Sequence, residues 1–251
     1  ALHDFLVSLH GNLAAAAKRN TGIIKERYQN LEAQLVLARV LFENKSPAKP
    51  DYFENPDLEE AFDKRDRTID SVQNAKKILA KYSSDLLPAL INNIKYDLDK
   101  IYAAEEVSSS LLFQQYKDDL KADYTQFTPR SHYTKNSVLR AYFRTMMYLG
   151  RSSYFLAKDI GILDSCLLVK QIALKRGDGI APLASWKNIM AITGFYAGQS
   201  DDLTYDEWRD FESKYLPSVS SDSDLLSAAN INKLAQNMDQ LRRPKILSDV
   251  I

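Results

Sequence analysis

Leu2, Phe5, Leu6, Leu9 and Leu13 open the chain at spacings of three and four, the repeat of one face of an α-helix. The same period returns in Ile24, Tyr28, Leu31, Leu35, Ala38 and Phe42, and again in Leu87, Leu90, Ile91, Ile94, Leu98 and Ile101. Alternation with period two, the mark of a half-buried strand, is never sustained. Glycine and proline number eight each, too few for a turn-rich β-sandwich or barrel. The expected fold is all-α, an irregular multi-helix bundle of about nine to eleven helices with no significant sheet.

Breaker residues divide this pattern. Asn20, Thr21 and Gly22 separate the first two helices, and Pro47, Pro50 and Pro56 make 45–56 a loop that no helix crosses. Helix is expected over 58–67 and 69–82. Ser83, Ser84 and Asp85 offer an N-cap for a helix over 86–107, with Pro88 in its first turn. Short pieces fill 108–122, a candidate sub-boundary. Three further helices are expected over 136–156, 159–174 and 183–197. The second is almost wholly apolar from Leu163 to Val169, which suits the centre of a helical domain. Thr204 and Glu207 have the spacing of a capping box, starting a helix that Pro217 follows. Residues 217–224 are Ser/Asp-rich and linker-like, and Asp224 is expected to cap a last helix to Leu241. Residues 1–251 read as one helical region of a longer protein.

Charge narrows the partners. Lys plus Arg and Asp plus Glu are 33 each, which argues against a generic nucleic-acid or anionic-membrane binder. No uncharged apolar run reaches the roughly 18 residues of a transmembrane helix. Cys166 is the single cysteine, so an intrachain disulfide and a thiolate metal cluster are both excluded. Its apolar helical setting predicts a small core residue.

The stretch 123–156 concentrates the chemistry. On a helical wheel Arg140, Arg144 and Arg151 form one stripe, with Tyr142, Phe143, Met146 and Gly150 opposite as a core face. Arg130 adds a fourth guanidinium before the helix. Such groups grip carboxylates or phosphates in forked pairs, so the stripe is either an anion site or a set of salt bridges. Asp201 and Asp202, in an acidic loop, are the expected internal partners.

His132, between Arg130 and Tyr133, is the candidate acid–base group; its alternative is a loop-locking hydrogen bond. The aromatic residues around it, Tyr133 among them, are either a sugar platform or core. The expected binding set is therefore Arg130, His132, Tyr133, Arg140, Arg144, Arg151, Asp201 and Asp202.

Other motifs carry less. His3 and His10 are seven residues apart, about 10 Å along a helix, too far to share one metal. The acidic runs 200–202 and 220–224 lack the alternating carboxylates of a calcium loop. No metal or cofactor is expected. Arg176, Gly177 and Asp178 spell an adhesion tripeptide but suit a helix end. Phosphate-binding glycine loops, nucleophile elbows and zinc-protease helix motifs are lacking.

Residues 123–134, DYTQFTPRSHYT, resemble the D-Y-x-Q-F-x-P-R-G-H-Y-T segment of the DUF3160 family. Residues 139–151, LRAYFRTMMYLGR, look like the family's following L-x-x-Y-F-R-A-M-M-W-x-G-R helix, and 198–205, GQSDDLTY, is similar to its G-x-S-D-D-L-T segment. Ser131 stands where the family has Gly. The family has no known function and occurs in large envelope-associated prokaryotic proteins, often with lipoprotein-type signals. The resemblance implies an extracytoplasmic setting but no reaction. Together with the lack of a catalytic signature it makes a non-catalytic module for binding or assembly at the envelope the first expectation, with an envelope component or another protein as partner, and the arginine stripe and aromatic residues suit an anionic or glycan ligand. The second expectation is a hydrolase gathering His132, Arg130, Arg144 and Asp201 or Asp202.

Overall fold

Caps and prolines set the helix boundaries in the computed structural model, which describes residues 1–47, 56–84, 86–117, 120–175, 179, 181–219 and 221–244. In chain order the helices begin with α1 (Leu2–Arg19), α2 (Gly22–Glu43), α3 (Pro56–Ile69), α4 (Val72–Leu79) and α5 (Pro88–Ala103). A two-strand antiparallel pair follows, β1 (Val107–Ser109) with β2 (Lys121–Asp123). The remaining helices are α6 (Ser137–Arg151), α7 (Asp159–Ala173), α8 (Pro182–Ala197), α9 (Tyr205–Tyr215), α10 (Asp222–Leu225) and α11 (Ala228–Ala235). The chain is all-α, as its period requires.

Local signals held where they were complete. Gly22 starts α2 at φ +55, a backbone angle that glycine adopts without strain. Thr204 and Glu207 form both bonds of the capping box. Elsewhere the boundaries shift. The helix expected over 86–107 begins at Pro88, with Leu87 as a cap that uses no side chain, and ends at Ala103 because Ala104 turns left-handed. Val107–Ser109 then pairs with Lys121–Asp123, register Ser108 to Ala122. Asp224 does not cap the last helix: Ser221 caps the short α10, and Asp224, the third residue of that helix, completes its capping box. Residues 48–55, Asp85 and the tripeptide at 176–178 lie outside the described residues.

The chain divides into two compact units, one made of Ala1–Glu32 with Tyr154–Ile251, the other of Ala33–Ser153. In the first unit α7 is the central helix, with α1, α8, α9, α10 and α11 against it. Ile162, Leu163, Cys166 and Leu167 are buried there. Gly161 is required by contact: a Cβ would lie 2.1 Å from the Phe155 carbonyl oxygen.

Polar residues tie this unit together inside the core. Asn12 Nδ2 donates to the carbonyls of Gln171 at 2.7 Å and Leu174 at 2.8 Å, closing the end of α7. Arg27 holds Asp164 by a two-point fork, Nε to Oδ1 at 2.9 Å and Nη2 to Oδ2 at 2.5 Å. Both residues are buried. Asp222 accepts from the Tyr28 hydroxyl at 2.8 Å and pairs with Lys170 at 2.5 Å.

The second unit packs the later turns of α2 with α3 to α6. Its buried apolar residues include Val36, Leu37, Val40, Leu41, Leu79, Ile94, Leu98 and Tyr148. Buried Asp97 on α5 accepts from Ser110 Oγ at 2.7 Å, Tyr124 Oη at 2.9 Å and the Leu111 N–H at 3.2 Å. Burial outweighs these bonds and raises the Asp97 pKa. The same carboxylate anchors the segment that leads from β1 to the loop before α6.

Candidate functional site

The loop before α6 is built from short turns. Asp123 caps the first 3-10 turn, Tyr124–Phe127, by accepting from the Thr125 N–H at 3.1 Å. Tyr124 and Phe127 are buried, so these motif residues serve packing and the Asp97 bond. The second turn, Ser131–Thr134, begins with Ser131 at φ +55. That left-handed angle favours glycine, so a serine holds it at some cost. Thr134 Oγ1 donates back to the Ser131 carbonyl at 2.9 Å.

α6 then starts at Asn136, whose side chain accepts from the Leu139 N–H at 2.9 Å. Its arginine stripe faces inward. Arg140 Nε donates to Asp70 at 2.5 Å, one Nη to Asp66 at 3.0 Å and the other to the Thr134 carbonyl at 2.9 Å. Arg144 donates to the other Asp70 oxygen at 2.6 Å, and its guanidinium lies over the Tyr102 ring at 4.6 Å. Tyr102 is pushed up to about 12, chiefly by burial. Asp66 also accepts from the Ser137 hydroxyl and from the Ser137 N–H at 2.8 Å. Burial opposes ionisation of Asp66, but the Ser137 bonds and Arg140 outweigh it and hold its pKa below the ordinary value.

Two expectations are corrected here. The partners of Arg140 and Arg144 are Asp66 and Asp70, at the end of α3 and just beyond it, and not Asp201 and Asp202. The wheel placed the core side only in part: Phe143 is buried and Met146 half-buried as expected. Arg144 is buried, whereas Tyr142 and Gly150 on the supposed core face are exposed. Paired guanidiniums can occupy an interior position that unpaired ones cannot. Arg151, half-buried at the end of α6, lies close enough to Asp123 to help lower that carboxyl's pKa, an effect led by the Thr125 side-chain bond.

Above this ionic layer the remaining expected residues come together on the surface. Arg130 and His132 are exposed. The His132 ring lies 3.9 Å from the Tyr133 ring, which stacks with Tyr142 at 6.2 Å and tilts against Phe143 at 5.3 Å. Arg130 sits over Phe143 at 5.4 Å. The cluster offers aromatic edges, one guanidinium and one imidazole on a loop whose last carbonyl is pinned by Arg140.

Asp201 and Asp202 belong to a different construction. Arg242 donates to the Asp201 carbonyl at 2.5 Å, to the Asp202 carbonyl at 2.7 Å and to Glu207 at 2.8 Å. It thus closes the loop that enters the capping box of α9. Nothing in the local sequence pattern points to Arg242, because its partners lie 35 to 42 residues away. The Arg242 bonds lead in lowering the Glu207 pKa to about 2, with help from Thr204. Beside this clamp an open cleft of about 370 Å³ lies over Phe211, Tyr215 and Leu241, with charges of both signs on its rim.

A pH dependence follows from the clamp. A carboxylate whose folded pKa is depressed stabilises the folded form above its unfolded pKa and stops doing so as pH falls through the folded value. Protection of the amides at 201–207, taken relative to their intrinsic exchange rate at each pH, is expected to hold down to about pH 4.5 and to fall progressively toward about pH 2. Arg242→Ala should show the lowered protection already at neutral pH. Equal exchange in both proteins at neutral pH would mean that the clamp does not hold the loop.

The histidines of α1 have separate neighbours. His3 is exposed beside Asp4, and the His10 Nε2 lies 3.4 Å from Glu32. Among the described residues no group of three or more His, Cys, Asp or Glu side chains could hold a metal ion. Burial raises the pKa of the Cys166 thiol, which disfavours the reactive thiolate.

The fold and this surface define a class: an all-α chain in two helical units, with an aromatic and basic loop held over a buried layer of ion pairs. The chain belongs to the DUF3160 family, described as a protein of unknown function, whose family model matches residues 2–251. No curated protein and no solved structure matches it. Among the described residues no helix is long and apolar enough to cross a membrane.

Proposed function

We propose that the chain is a helical module for binding or assembly at the cell envelope, outside the cytoplasm, and that the loop Arg130–Thr134 is its contact surface. The observation that carries this is the division of labour around α6. Arg140, Asp66 and Asp70 are committed to one another and to the Thr134 carbonyl, while Arg130, His132 and Tyr142 stay exposed above them. A loop fixed from beneath loses little entropy when it meets a ligand. Aromatic rings beside a guanidinium suit a sugar chain that carries acid groups. The extracytoplasmic setting rests on the family's usual context.

The hydrolase reading fares less well, because one of its residues, Arg144, is buried against Asp70 and Tyr102. Screening the intact chain against neutral and acidic glycans is the direct test. The wild type is expected to retain acidic glycans. Joint replacement Arg130→Ala with His132→Ala should weaken them at least tenfold, with the melting temperature unchanged, since both residues are exposed. Retention by the variant equal to that by the wild type, or no acidic glycan retained by either, overturns the reading.

A further inference from the structure

α8 is mostly apolar, with Lys187 its only charged residue and Ser185, Asn188 and Thr193 its other polar side chains. A helix of that kind is normally covered over most of its surface. One side is covered: α1 and α7 pack against it, and Leu183, Trp186, Ile189, Met190 and Thr193 are half-buried there. The opposite arc is not. Ala184, Asn188, Ala191, Ile192, Phe195 and Tyr196 are all exposed. Ile192 is 59 % exposed, and Phe195 and Tyr196 are each 82 % exposed. The three recur at i, i+3 and i+4, so they form one ridge, and the two rings meet edge to face at 5.0 Å.

We propose that this arc of α8 pairs with the same arc of a second copy of the chain. Area supports that occupant. The two rings expose on the order of 300 Å², and Ile192 with the alanines and Asn188 brings the face to roughly 500 Å². Two such faces bury on the order of 1,000 Å² together, the lower bound for a specific interface. Charge supports it too. Lys187, at the edge of the arc, lies 3.4 Å from Asp206, so the face presents almost no net charge to repel its own copy. The same neutrality gives an acidic membrane or a charged partner nothing to grip. Ala184 and Ala191 keep the arc low enough for two helices to cross closely, and a twofold arrangement makes a patch its own complement.

Sedimentation velocity on the full chain tests this directly. The wild type is expected to pass from monomer to dimer as concentration rises through the micromolar range. Phe195→Ser with Tyr196→Ser should raise the dissociation constant at least tenfold and leave the circular dichroism spectrum unchanged. Ile192→Cys should cross-link under mild oxidation in the dimer, since Cys166 is buried and does not compete. A wild type monomeric at every concentration overturns the proposal. So does a dimer indifferent to the double substitution, or a monomer that binds zwitterionic vesicles through these residues.

Discussion

Asp164→Ala is expected to destabilise the first unit by about 3–5 kcal/mol, the loss associated with leaving one member of a buried ion pair alone. The Arg27 and Asp164 side chains are 5 % and 0 % exposed, and the fork between them satisfies two donors at once. Without the carboxylate the guanidinium has no counter-charge in a medium of low polarity. The double replacement Arg27→Met with Asp164→Leu should recover most of the loss, because apolar residues of similar size need no partner there. Both tryptophans, Trp186 and Trp208, belong to this unit. Their fluorescence during urea unfolding therefore reads its stability selectively. A single variant that loses less than about 1 kcal/mol would mean that water reaches the pair and solvates Arg27.

The second large effect is expected at Asp70. Asp70→Ala removes the acceptor of both Arg140 and Arg144 and should cost about 3–5 kcal/mol. The Asp70, Arg144 and Arg140 side chains are only 6 %, 10 % and 15 % exposed, so solvent replaces little of the pairing. Arg140→Lys is expected to lose a smaller share. One ammonium group cannot reproduce a planar fork that reaches Asp70, Asp66 and the Thr134 carbonyl together. Hydrogen exchange over 131–151 measures both variants. Quickened exchange in the loop as well as the helix is the expected pattern, and unchanged loop protection in Asp70→Ala would uncouple the ionic layer from the surface above it.

Acid should imitate this variant in part. With its pKa held below the ordinary 3.8, Asp66 contributes stability fully above that value. The contribution disappears as pH falls through the lowered one.

Helical period made most of this architecture legible, since each turn reports its own buried face within four residues. The capping box at Thr204 was equally legible because both of its bonds are local. The arginine stripe was legible as a stripe, and its reading as a set of salt bridges holds, but its partners were not legible: Asp66 and Asp70 lie some 70 residues earlier in the chain. Arg242 was overlooked for the same reason of distance. Asp224 was misjudged by one helical turn, because Ser221, a short acceptor at the better offset, takes the capping position. Ser131 was marked only as a departure from the related motif, and its left-handed angle is visible in the structure alone, since a serine gives no sign of it.

The first unit is assembled from the two ends of the chain, and this has a consequence for biosynthesis. Asn12 waits for Gln171, and Arg27 for Asp164, at separations of 159 and 137 residues along the chain. A ribosome adding about 5–20 residues per second needs on the order of ten seconds to travel that far. The second unit is continuous and rich in neighbouring contacts, so it can close during this interval. Helices α1 and early α2 cannot, and their apolar faces stay without a partner until α7 emerges. A nascent chain stalled near residue 150 should therefore recruit holdase chaperones to its N-terminal helices while its middle has already become resistant to protease.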